Sequence, residues 1–184
     1  MQPPGITRSR RPFLAPLWIT LLALSAAGAV ILTVQRHAGS TMVFVVQPAE
    51  WEPGAITDAP VSREGEVRAE RLAQMFGDSG GAGRVQVVFE SDDRRTLRTA
   101  APLVQRLRRA PVVFAATEAR AVAARIVREH AGGTVLVIAP GALAGQVIAA
   151  LFGSDGAVRL DGPDTACAVS VPTYGRPQLA CFRL

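Results

Sequence analysis

The feature that most narrows the fold is a fourfold alternation between short apolar runs and longer stretches whose apolar residues recur at helical spacing. The apolar runs are Met42 to Val46, Val85 to Phe89, Pro111 to Phe114 and Thr134 to Ala139. Runs this short and this rich in valine are expected to be strands buried on both faces. After the first run, Ala69, Leu72, Ala73 and Phe76 fall at i, i+3, i+4 and i+7, with Ser62 placed to cap their helix. The second run is followed by Ala100, Leu103, Val104 and Leu107, the third by Ala119, Val122, Ala123 and Ile126, and the fourth by Ala144, Val147, Ile148 and Leu151. Parallel strands need long crossovers, and helices in those crossovers cover both faces of the sheet. The expected class is α/β, a three-layer sandwich with a mostly parallel central sheet. The glycine-rich stretch from Gly77 to Gly83 lacks the lysine and serine of a phosphate-cradling loop and follows a helix, so it is expected to be a linker.

A hairpin closes the chain. Apolar alternation in Cys167, Val169 and Val171, and again in Leu179 and Cys181, predicts two strands around the turn from Pro172 to Pro177. Centred on Tyr174, that hairpin sets Cys167 opposite Cys181, within disulfide reach if the pair is of the non-hydrogen-bonded kind. The alternative is two small buried thiols. With no histidine or further cysteine nearby there is no metal site, and no cofactor is called for.

Ahead of the domain, Phe13 to Val34 carries no charge over 22 positions. At about 1.5 Å per residue that is enough to cross a hydrocarbon core of about 30 Å. Arg8, Arg10 and Arg11 precede it and Arg36 follows. This bias predicts a single-pass protein of the cytoplasmic membrane: a basic cytoplasmic segment 1–12, a signal-anchor span 13–34, a linker 35–41, and a domain 42–184 on the extracytoplasmic side. A cleaved signal peptide is the rival, because Ser25 to Ala29 offers small residues to a peptidase. The basic pI does not imply nucleic acid. All 20 basic residues are arginine and four lie before residue 39, which leaves 16 against 15 acids in the domain. A nucleic-acid binder needs a concentrated basic face. Arg98, Arg106, Arg108 and Arg109 are expected to form a solvated helix surface.

Ser91 to Ala100, S-D-D-R-R-T-L-R-T-A, resembles the second-arginine motif of the histidine phosphatase (phosphoglycerate mutase-like) superfamily. Asp58 to Gly65, D-A-P-V-S-R-E-G, resembles that family's D-x-P-L-T-x-x-G, and Thr134 to Gly141 resembles its strand before G-H-S. The resemblance implies a phosphoglycerate mutase-like sheet with a phosphate pocket where three segments converge: 47–50, 91–95 and 139–142. Carried over residue by residue, the pocket comprises Gln47, Pro48, Glu50, Ser91, Arg95 and Pro140. Gln47 stands for the family's first arginine and Pro48 for its nucleophilic histidine; Pro140 stands for its second histidine. Arg95 keeps its type, with Ser91 expected to cap the helix beneath it.

A proline has no nitrogen to phosphorylate and no proton to donate. Losing a nucleophile costs on the order of 10⁶ in rate, or roughly 8 kcal/mol of barrier. Asp92, Asp93, Glu50 and Glu52 add negative charge at the mouth, against a phosphate dianion. Arg36-His37-Ala38 spells R-H-A but follows the apolar span directly, and His130 is expected at a helix end away from the strand tips. Glu118 lies where some family members carry an acidic proton donor, and it equally suits a helix first turn.

Three functions remain open. The first is a membrane-anchored pseudoenzyme that binds an envelope protein or a phosphorylated small molecule. The second is a phosphatase of non-standard mechanism using Arg95 and a carboxylate such as Glu50 or Glu118. The third is a structural module whose old pocket is filled by Pro48 and Pro140.

Overall fold

A computed structural model describes residues 17–37, 39–49, 61–77, 84–154, 156–162 and 164–184. The chain divides into two compact units, Met1–Arg36 and His37–Leu184. The first holds α1, Leu17–His37, whose Ile19, Leu21, Leu22 and Leu24 are 47% to 70% exposed. Among the described residues no helix is long and apolar enough to cross a membrane; the side chains described in α1 are those of residues 19–29. Residues 13–16 of the expected span lie outside the described residues.

The second unit alternates strand and helix in the expected order. Its elements are β1 Thr41–Val46, α2 Arg63–Gly77, β2 Val87–Ser91, α3 Arg94–Leu107, β3 Val112–Phe114, a short 3₁₀ turn Ala116–Glu118, α4 Ala119–Glu129, β4 Thr134–Ile138 and α5 Gly141–Leu151. The hairpin β5 Thr165–Val171 and β6 Gln178–Arg183 ends the chain. The six strands form one sheet in the order β3-β2-β4-β1-β5-β6. The first four strands run parallel, and β5 and β6 join antiparallel. The sheet is therefore mixed, because the hairpin adds a whole third of its strands in the opposite sense.

Residues alternate between the two faces of each strand, and each face builds its own core. Val43, Val45, Phe89, Val135 and Val137 pack with Ile126, Val147 and Ile148 under α4 and α5. On the other face Phe44, Val46, Val88, Leu136 and Ile138 pack with Leu72, Phe76 and Leu103 under α2 and α3. The helical spacings recognised in the sequence supply these inner faces: Ala69, Leu72, Ala73 and Phe76 are all buried. Ser62 caps α2, its hydroxyl accepting from the Gly65 N–H at 3.0 Å. The linker predicted at 77–83 lies outside the described residues from position 78 on.

Two expectations are corrected. Strand β2 runs Val87–Ser91 rather than 85–89, because pairing with β3 extends the ladder two residues beyond the apolar run. This draws Glu90 and Ser91 into the sheet. The helix α3 is capped by Asp93, not Ser91: the Asp93 carboxylate accepts from the Thr96 N–H at 3.2 Å. A carboxylate two residues closer to the helix reaches the free first-turn amides, while the Ser91 hydroxyl is still held in the strand.

Candidate functional site

The parallel order brings three strand tips side by side. Val46, Ile138 and Glu90 are in register across β1, β4 and β2. The chain then leaves the sheet at Gln47-Pro48-Ala49, Ala139-Pro140 and Ser91-Asp92, so the expected segments do converge. In an open α/β sheet this carboxyl edge is where ligands sit. Glu50 and the Asp58–Pro60 part of the quoted motif lie outside the described residues.

What the edge holds is a set of polar groups already committed to one another. The Gln47 side chain donates from Nε2 to the Gly162 carbonyl at 2.7 Å, tying β1 to the segment before β5. Its amide also lies close against α5: a Cβ placed on Gly141 would come within 2.8 Å of Gln47 Oε1. Pro48 is buried and Pro140 is half-buried at the start of α5. Ala49 N–H donates to the Thr99 hydroxyl at 2.9 Å, and that hydroxyl donates to the Arg95 carbonyl, also at 2.9 Å. The Ser91 hydroxyl, itself buried, donates to Thr96 Oγ1 at 2.9 Å, and Thr96 Oγ1 lies 3.3 Å from the Asp93 carboxylate. Arg95 Nε sits 3.9 Å from the same carboxylate, with its side chain 31% exposed.

This arrangement is poor at nucleophilic chemistry. Ser91 is hydrogen-bonded to a hydroxyl, where activation would need a base. Glu118 is exposed and its carboxylate accepts from the Ala115 N–H at 2.7 Å, an N-terminal capping contact. His130 ends α4, on the opposite edge of the sheet from the strand tips, with its ring edge-on to Phe89 at 5.8 Å; burial pushes its imidazole below the usual histidine range. His37 ends α1. Arg98, Arg106, Arg108 and Arg109 are exposed, as expected of a solvated surface; Arg106 pairs with Glu70, and Arg109 donates to the Gln86 carbonyl.

One further titratable group at this edge belongs to none of the motifs. Glu90 is only 5% exposed, between Val113 and Ile138 in the ladder, and burial pushes its carboxyl up to about 7. Placed on the α2/α3 face with Val46 and Ile138, it is an acid inside an apolar layer. The signal is an acid directly after Val87-Val88-Phe89, in a strand that runs on to Ser91.

No protein-family model matches the sequence, and no curated protein does. Solved structures match in fold. The protein histidine phosphatase SixA complexed with tungstate superposes with a TM-score of 0.58 at 15% identity, covering 77% of this chain and 96% of that one. A mycobacterial glucosyl-3-phosphoglycerate phosphatase complexed with VO3 gives 0.59 at 15%, covering 77% and 98%. A mutant phosphoserine phosphatase from Entamoeba histolytica bound to phosphoserine gives 0.57 at 12%, covering 76% and 94%. At such identities the likeness is one of architecture, and it agrees with the parallel strands, the converging tips and the motif order described above. The chain has the fold of the histidine phosphatase, phosphoglycerate mutase-like superfamily.

Proposed function

We propose that this protein is a membrane-anchored, exported pseudoenzyme of histidine-phosphatase fold that acts by binding. One observation carries the proposal: the two positions matching the family's histidines are prolines, and the polar groups around them are bonded to one another. Gln47 holds the Gly162 carbonyl, and Arg95 lies beside Asp93. The ligand is an envelope protein or a phosphorylated small molecule, with Arg95 as the cation that meets the anion. Three supports point to anchoring: the uncharged run 13–34, the arginines ahead of it, and the exposed apolar side chains of α1.

A second reading is favoured by Glu90 alone. A carboxyl that titrates near neutrality suits proton transfer better than an ordinary one. It would serve a phosphatase of non-standard mechanism in which Arg95 binds the ester and a water attacks.

The test is hydrolysis of p-nitrophenyl phosphate by the full chain in detergent, alongside Arg95→Ala and Glu90→Gln. The expected result is no turnover above buffer in any of the three. Turnover in the wild type that both substitutions abolish would overturn the binding reading in favour of the second.

A further inference from the structure

The two edges of the sheet are finished differently. At one end β3 is three residues long and directly follows Pro111, a short, proline-flanked edge that offers little to a passing strand. At the other, β6 is six residues long, contains no proline and is exposed at every position. Among the described residues nothing pairs with its outer side. Its apolar side chains include Leu179 and Phe182, 38% and 41% exposed, and the turn adds Tyr174 at 87%.

The direction of the free backbone groups follows from the disulfide pair. Cys167 and Cys181 form a disulfide and stand opposite one another, with Cα atoms 4.1 Å apart. That spacing marks a non-hydrogen-bonded pair, whose N–H and C=O groups point away from the partner strand. Cys181, and with it Leu179 and Arg183 at two-residue intervals, therefore turn their donors and acceptors to the open edge. The disulfide holds β6 in the extended form before any partner arrives, which lowers the ordering cost of pairing.

We propose that β6 pairs antiparallel with β6 of a second copy of this chain, about a two-fold axis at Cys181, to make one continuous sheet. This inference goes beyond the binding reading and does not depend on the chemistry at the strand tips. The strand is self-complementary in that register. Leu179 faces Arg183 of the second copy, so the strand's single charge meets an aliphatic side chain and never its own kind. On the other face Phe182 lies beside Ala180 of the second copy, a large side chain next to a small one, as close cross-strand packing requires. Three facing residue pairs, each exchanging both bonds, give on the order of six hydrogen bonds.

The experiment measures the number of chains per particle for the full chain in detergent, by sedimentation with the detergent contribution subtracted. Amide hydrogen exchange at Leu179, Cys181 and Arg183 is followed in the same samples. Wild type is expected to hold two chains with those amides protected. Leu179→Lys sets a lysine opposite Arg183, and Leu179→Pro removes an outward donor without touching the bonds to β5. Each is expected to weaken association at least about tenfold and to release the amides. Should the proline variant fail to fold, the lysine variant decides, since position 179 is exposed. A wild type with one chain per particle overturns the proposal. If its β6 amides are nonetheless protected, the edge belongs to some other segment. Two chains persisting in both variants also overturns it and moves the contact elsewhere. Turnover in the hydrolysis test would overturn the binding reading while leaving this one standing.

Discussion

Glu90 is the residue with the clearest measurable consequence. Its carboxyl is raised from an ordinary value of 4.5 to about 7 because burial disfavours the charged form. Below about pH 4.5 the acid is neutral folded and unfolded, and its stabilising contribution relative to the ionised state is fully present. As pH rises through 7 that contribution is lost, and above 7 the penalty levels off. Glu90→Gln is therefore expected to match wild type near pH 4 and to exceed it at pH 8 by about 3 kcal/mol. Chemical unfolding at the two pH values measures this, and an equal difference at both would assign the effect to packing. The neighbouring prolines, glutamine and arginine could be read from the sequence because they sit in a recognisable motif order. Glu90 could not, because its burial depends on β3 lying beside it, which no local pattern states.

At the scale of elements, α5 shows how closely the helices seat. Its outer turn meets the segment before β5: Val158 N–H donates to the Gly145 carbonyl at 3.2 Å, and a Cβ on Gly145 would stand 2.1 Å from the Val158 carbonyl oxygen. Both atoms are backbone, so neither can swing aside. Gly145→Ala is expected to destabilise by about 1–3 kcal/mol through overpacking, although alanine is the better helix former. Thermal unfolding checks this, and a stabilised variant would mean the segment at 158 gives way freely. The helices themselves were legible from spacing alone, down to the Ser62 cap. The ends of β2 and the cap of α3 were not, because ladder pairing and cap geometry are settled between neighbouring elements, not within one.

For the whole molecule, the outstanding question is where the domain resides. If α1 and the residues before it anchor the chain with the domain outside, protease added to spheroplasts will digest the domain while leaving a short membrane-embedded fragment. Complete protection until the membrane is lysed would overturn the exported reading. The domain's two cores are built from buried residues between Val43 and Val169.

By itself the sequence determined the alternation of strand and helix, the inward faces and the near-neutral charge of the domain. All of these are local: they depend on residue type and spacing along the chain. Tertiary structure alone decided the order of the strands in the sheet, that Gln47 is held by Gly162 more than a hundred residues away, and that Glu90 is buried. Each of these depends on which distant strand or loop arrives alongside. That is set by the collective packing of two cores against one sheet and cannot be seen from any single stretch.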